Sequence, residues 1–208
     1  MFHIACKYTK ESNTLQVFCQ KKVNDIHSCC FNTDNPTKSS MDDINKGIVI
    51  DLGSIVIKPY LEFGASSADV EKYVNEYYPG WTIVNPEGPI YVKMDDIDYW
   101  AKYYAKDDKA SVVFYFLDPA ATNLAISSYE YSTSIPIEDV KKEYERNHFT
   151  YMGILEYPDN YYGATYMYLS ADKTIEAQLT SYAKEGTGWL LSFQPTSETD
   201  LNNLKPEI

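Results

Sequence analysis

His148 is the first residue to weigh for chemistry, because it is the only histidine after residue 40 and it follows a segment carrying Glu143 and Glu145. A carboxylate close to an imidazole is the minimum for general acid–base work, so a small hydrolase using His148 and a nearby Glu is one reading of the chain. A surface histidine near a helix C-terminus, favoured there by the helix dipole, accounts for the same residue without catalysis and is preferred. A second group lies before residue 40: Cys6, Cys19, Cys29 and Cys30, with His3 and His27. His27 beside Cys29 or Cys30 supplies a thiol and a base, but neighbours on a short arm seldom hold catalytic geometry. Cys6, Cys19, His27 and Cys29 carry zinc-type donor atoms without the tight two-residue knuckle of a strong zinc motif. Reduced thiols, disulfides and metal-bound thiolates all stay open for these four.

Carboxylates gather at Asp95, Asp96 and Asp98 and again at Asp107 and Asp108. Calcium takes several oxygens from one loop, yet the glycine and distal glutamate of an EF-hand loop do not follow Asp96-Ile97-Asp98. Two carboxylates close in sequence do not make the rigid cleft that glycoside hydrolysis needs. A solvated acidic face is the simpler reading. The chain contains no G-x-S-x-G, H-E-x-x-H, P-loop or dinucleotide-binding glycine pattern. The reading is therefore not an enzyme, with no cofactor and no metal site.

Between the two acidic groups runs Tyr99-Trp100-Ala101-Lys102-Tyr103-Tyr104, and Tyr161-Tyr162 forms a similar pair later. Aromatics bordered by charge suit an interface hot spot or a stacking platform for a sugar. Tyr99, Trp100, Tyr103, Tyr104, Tyr161 and Tyr162 are the candidate binding residues, with core and sheet packing as the competing role. Twenty tyrosines in 208 residues give that choice weight for the whole chain, since Tyr packs its ring and keeps its hydroxyl wet. The formal charge of −12 disfavours general binding to nucleic-acid phosphates and docking on an anionic membrane. An acidic mimic of nucleic acid that occupies a basic protein remains an alternative.

The elements that must position these residues fall into four segments. Residues 1–40 hold five Lys against Glu11, Asp25 and Asp34, and all four Cys, so they read as a separate arm. Residues 2–8 and 14–20 bracket Lys10-Glu11-Ser12-Asn13 and suggest a hairpin within it. No apolar leader or membrane-length span is expected from the sequence. Residues 41–134 begin with a strand over 47–57. A helix follows, capped at Ser66 or Ser67, with Asp69 in its first turn and Val70, Tyr73, Val74 and Tyr77 on one apolar face. Pro79-Gly80 ends it. Strands are expected over 81–84 and 89–94, a short helix over 95–106, and strands over 111–117 and 122–132. Residues 135–194 repeat the order. A helix starts at Pro136, with Val140 and Tyr144 buried, and strands follow over 149–156, 164–169, 174–182 and 189–193. Residues 195–208 read as a polar tail.

Asp69-Val70-Glu71-Lys72 matches Asp139-Val140-Lys141-Lys142 seventy positions on, which suggests one helix-then-meander unit used twice. One such unit leaves a sheet face bare, and pairing two can bury it. The expected class is α+β: two related units packing helices on antiparallel sheet, plus a loose N-terminal arm.

The stretch Pro59-Tyr60-Leu61-Glu62-Phe63-Gly64-Ala65-Ser66, followed by the Asp69-Val70 helix, resembles a segment of uncharacterised secreted or surface lipoproteins of gut bacteria. The helix-then-meander unit, over roughly residues 58–194, resembles the fold shared by β-lactamase inhibitory protein and the small lipoprotein of the outer-membrane assembly machine. Proteins of that fold bind other proteins. The resemblance thus implies an extracytoplasmic, non-catalytic binding module for a protein or glycan partner, and it transfers no site residue.

Overall fold

The computed structural model of the chain describes residues 47–94, 96–156, 162–182 and 187–205, with the strand residues 5–7 and 16–18. In the arm, β1 (Ala5–Lys7) and β2 (Gln16–Phe18) pair antiparallel with Cys6 opposite Val17, inside the two stretches expected to form a hairpin. Cys19, Cys29, Cys30 and His27 lie outside the described residues.

The stretch 47–57 is not one strand. It folds back as β3 (Ile50–Asp51) and β4 (Val56–Ile57), a two-stranded hairpin with Ile50 opposite Ile57. Gly53 sits at φ 78°, a conformation that costs glycine little. The Asp51 carboxylate accepts from the Gly53 amide at 2.9 Å, so the β-branched run is broken by an Asx-type turn.

Helix α1 (Ser67–Tyr77) starts where the sequence places it. The Ser66 hydroxyl accepts from the Asp69 amide while the Asp69 carboxylate accepts from the Ser66 amide, a reciprocal capping box. The Ser66 hydroxyl also donates to the Asp69 carboxylate at 2.6 Å, and this bond, with that from the Ser66 amide, holds the Asp69 carboxyl below its ordinary range. Val70 and Val74 are buried, but Tyr77 is 41% exposed, and the ring buried at this end of the helix is that of Tyr78.

Strands β5 (Thr82–Ile83), β6 (Ile90–Met94), β7 (Ile97–Ala105), β8 (Ala110–Phe116) and β9 (Leu124–Tyr131) follow. β7 replaces the short helix expected over 95–106. Ile97, Trp100, Ala101 and Tyr104 do recur at helical spacing, yet they divide between the two faces of a strand. Tyr99, Ala101 and Tyr103 join one apolar cluster and Tyr104 the other. A strand with large side chains on both faces offers apolar residues at nearly every position, so a helical subset can be picked from it.

Helix α2 (Ile137–Arg146) begins after Pro136 and buries Val140, Glu143 and Tyr144. Next come β10 (Thr150–Glu156), β11 (Tyr162–Leu169), β12 (Ile175–Tyr182) and β13 (Trp189–Pro195). The segment beyond is not a polar tail. Leu201 of helix α3 (Glu198–Asn202) and Leu204 just past its end pack on Leu155, Met167 and Leu169, and the Lys205 amide donates to the Ile154 carbonyl at 2.7 Å. Two leucines in a polar segment suffice to tie it down, because the strands beneath expose apolar side chains that nothing else covers.

Nine strands form one antiparallel sheet in the order β10-β11-β12-β13-β9-β8-β7, with β5 and β6 both pairing the far side of β7. The architecture is dominated by this sheet rather than shared evenly between helix and strand. α1, α2 and the β3–β4 hairpin contribute to a single core on one face, where Val70, Val74, Val140 and Tyr144 meet Phe114, Tyr129, Leu179 and Phe193. The other face is covered by α3 at one end and by a smaller cluster of Val92, Met94, Tyr99, Tyr103, Val113, Tyr115 and Ile126 at the other. No helix among the described residues is long and apolar enough to cross a membrane.

Candidate functional site

Between those two covers the sheet face is open. The gap is a trough of about 1040 Å³ floored by β8, β9 and β13 and walled by the loop that joins β5 to β6. Side-chain alternation makes its floor. Tyr129 and Tyr131 point into the helical core, so Ser128 and Glu130 between them line the trough. Leu191 and Phe193 likewise leave Leu190, Ser192 and Gln194 on the trough side. The register sets Ser192 opposite both Ser128 and Gln178, and Leu190 opposite Glu130. The Ser128 and Ser192 hydroxyls are 2.8 Å apart. Thus residues 64 positions apart in the chain form one polar strip across the joint of β9 and β13.

The wall is fixed by Asn85. Its amide donates to the carbonyls of Gly88 (2.7 Å) and Ala101 (3.1 Å), and its carbonyl accepts from the Tyr103 amide at 2.9 Å. This holds Pro86-Glu87-Gly88 against β7. At one end the β7–β8 turn brings Asp107, Asp108 and Lys109, with the Asp107 carboxylate accepting from the Lys109 amide at 2.8 Å. Among the described lining residues Glu87, Asp107, Asp108 and Glu130 therefore face a single cation, Lys109. Glu130 is the deepest acid of the four. Ser111 donates to one of its oxygens at 3.4 Å and the Tyr182 hydroxyl to the other. Desolvation raises the Glu130 carboxyl above its ordinary range, and the Ser111 bond only partly opposes this.

A second carboxylate pair borders the trough beneath α3. Glu176 is fully buried. One of its oxygens accepts from Gln178 at 2.5 Å and from Gln194 at 3.2 Å, and the same Gln194 amide donates to Asp200 of α3 at 3.1 Å. Burial and then the nearby Asp200 charge push the Glu176 carboxyl up to about 7, against the Gln178 bond. The folded state thus retains a proton that the unfolded chain releases near the ordinary value of 4.5. Native protein binds more protons between these values, so stability is expected to fall as pH rises from about 4.5 to 7 and to level off above. The span corresponds to roughly 3 kcal/mol. Glu176→Gln removes the titrating group and is expected to melt several degrees above the parent at pH 8, with no such gain at pH 5. Paired melting curves at the two pH values check this, and an equal difference at both would contradict it.

The residues singled out in the sequence are distributed over both faces. Tyr103 lines the trough and Tyr99 packs beside it, both nearly buried. Tyr104 lies in the helical core. Trp100 is half-buried beside the exposed ring of Tyr91, with centroids 5.9 Å apart, and the Tyr91 hydroxyl donates to Asp98 at 2.8 Å. Tyr162 stacks on Tyr182 at 5.9 Å, while Tyr161 lies outside the described residues. The two acidic groups cap opposite ends of β7: Asp96 and Asp98 at its start, Asp107 and Asp108 past its end. Asp95 lies outside the described residues.

His148 is exposed and takes the left-handed position just after α2, at φ 62°. Its amide donates to Glu145 and the Phe149 amide to Tyr144, the paired bonds of a Schellman ending. Glu143 points elsewhere. Its carboxylate holds Arg146 at 2.6 Å and accepts from the Asp51 amide at 3.2 Å.

Sequence reasoning did not pick out Glu130, Ser128, Ser192 or Gln194. A signal was present, since Ser128-Tyr129-Glu130-Tyr131 and Leu191-Ser192-Phe193-Gln194 alternate polar and apolar on neighbouring strands. Comparisons with protein-family models, with curated proteins and with solved structures found no match.

Proposed function

We propose that the protein is a non-catalytic binding module that accepts a positively charged, extended segment of a partner protein in the open trough. One observation carries this: the trough gathers four carboxylates against one lysine on a floor of small polar and apolar side chains. Opposite charge raises encounter rates and fixes orientation. A neutral glycan can donate hydroxyls to such a lining but gains no charge attraction from it, and an acidic glycan is repelled, so a protein partner is favoured over a sugar. The acids surround a concave trough, with Glu130 on its floor and Glu87, Asp107 and Asp108 on its wall and rim, which favours a gripped segment over mimicry of nucleic acid.

The duplicated-unit reading supports the same picture. α1 precedes the strands that end in β9, α2 precedes those that end in β13, and β9 and β13 lie side by side. Joining two helix-then-meander units this way puts α1 and α2 on one face and leaves the other covered by a helix, α3, at one end alone. The resemblance of residues 59–66 to a segment of uncharacterised secreted or surface lipoproteins favours an extracytoplasmic setting for such a module.

The test is selection from a random decapeptide library against the parent protein, followed by affinity measurement on Ser192→Trp. Ser192 lies at the centre of the floor and is half-exposed, so an indole there fills the trough without entering the core. The parent is expected to enrich peptides rich in Lys and Arg. Ser192→Trp is expected to bind them at least tenfold more weakly at an unchanged melting temperature. Equal binding by both proteins would exclude the trough.

A further inference from the structure

We infer that Glu130 is the anchor of the trough and reads a guanidinium group, so that the partner segment presents an arginine at this point. The inference rests on the trough as the binding site and adds the chemistry of one contact.

Three observations converge on it. The Glu130 carboxylate is largely desolvated, yet no ion pair reaches it among the described residues. Removing a carboxylate from water is costly unless a cation or several hydrogen bonds replace the hydration shell. Ser111 and Tyr182 supply one bond to each oxygen. Each oxygen therefore keeps a free acceptor site. Two parallel acceptors on one carboxylate match the forked donors of a guanidinium, whereas an ammonium is a point charge that uses no such fork.

The surroundings suit the rest of an arginine side chain. Leu190 is directly opposite Glu130 on β13, and Val113 is two residues beyond Ser111 on β8, so apolar floor adjoins the carboxylate. An arginine lays its methylene stem on apolar surface and keeps its head group at the polar end. Lys109 stands at the rim with Asp107 and Asp108 beside it, which leaves the deep position for the ligand's cation.

The test uses two small probes, N-acetylargininamide and N-acetylcitrullinamide, which differ in charge and little in shape. Each is titrated into the full chain while the side-chain carboxyl ¹³C resonance of Glu130 is followed. The arginine probe is expected to shift that resonance saturably and to bind at least tenfold more tightly than the citrulline probe. In Glu130→Gln the tenfold preference is expected to vanish. Equal affinities for the two probes in the parent, or a preference that survives in a folded Glu130→Gln, would overturn the anchor. Failure of the trough is separable from this. Selected decapeptides that ignore Ser192→Trp exclude the trough, while loss of arginine preference with intact peptide binding excludes only the anchor.

Discussion

Val70→Asp is expected to remove a large share of the protein's stability and to shift its denaturation midpoint far below that of the parent. Val70 is 0% exposed on the face of α1 that enters the shared core. The substitution removes an apolar side chain and buries a carboxylate among Val74, Tyr78 and Phe114, which belong to the same apolar cluster. A buried charge without a cation, added to the lost packing, costs about 4 kcal/mol or more. Domains of this size hold only about 5–15 kcal/mol in total. Glu71→Asp, one position away and exposed, is the control and is expected to change stability by less than about 1 kcal/mol. Chemical denaturation followed by tyrosine and tryptophan fluorescence checks the pair. A Val70→Asp transition at the parent's midpoint would show that α1 does not bury this face.

The second large effect is expected at Gly188, immediately before β13. It has φ 129°, and a Cβ placed there would stand 2.0 Å from the Tyr131 carbonyl oxygen and 2.9 Å from the Ser132 Cα. Both obstacles are backbone, at the last residue of β9 and the one after it, and Trp189 next to Gly188 lies opposite Tyr131 in the ladder. Alanine at 188 must therefore push β13 away from β9 at the joint that creates the trough floor. It is expected to cost about 3 kcal/mol or more, from strain and lost packing of the nearly buried Trp189. Gly163 gives the contrast. A Cβ there meets chiefly the Ser181 hydroxyl, a side-chain atom that can be removed or turned. Gly163→Ala is expected to recover most of its stability in a Ser181→Ala background, whereas no side-chain truncation rescues Gly188→Ala. Thermal melts of the three variants decide it; a Gly188→Ala protein within a degree of the parent would mean that the β9–β13 joint is looser than described.

Helices α1 and α2 and most strands were legible because a one-sided amphipathic pattern has a single solution. Ser66 and Asp69 mark a helix start chemically, and alternation in residues 174–182 marks a strand with one polar face. What escaped shared a different cause. β7 carries aromatic rings on both faces, Tyr99 and Tyr103 on one and Trp100 and Tyr104 on the other, so its sequence lacks the polar–apolar alternation of a strand with one polar face. The β3–β4 hairpin turns at Gly53 inside an apolar run whose ends show no change of composition. α3 docks through two leucines, too few to outweigh the polar residues around them.

The trough was illegible for a topological reason. Ser128 and Ser192 are ordinary serines until β9 and β13 become neighbours, and nothing in either strand names its partner. Aromatic residues attracted attention instead, yet in this fold most of them serve packing. Tyr104, Tyr129 and Tyr144 are buried in the core, and Tyr99 and Tyr103 bank the side of the trough rather than project from it.

The most direct measurement is amide chemical-shift mapping of the protein during titration with a selected arginine-containing decapeptide. Occupation of the open face should move the resonances of Ser111, Ser128, Glu130, Ser192 and Gln194 together, with one affinity, while those of α1 and α2 stay in place. Shifts confined to the helical face, or to the Tyr91–Trp100 corner, would contradict it.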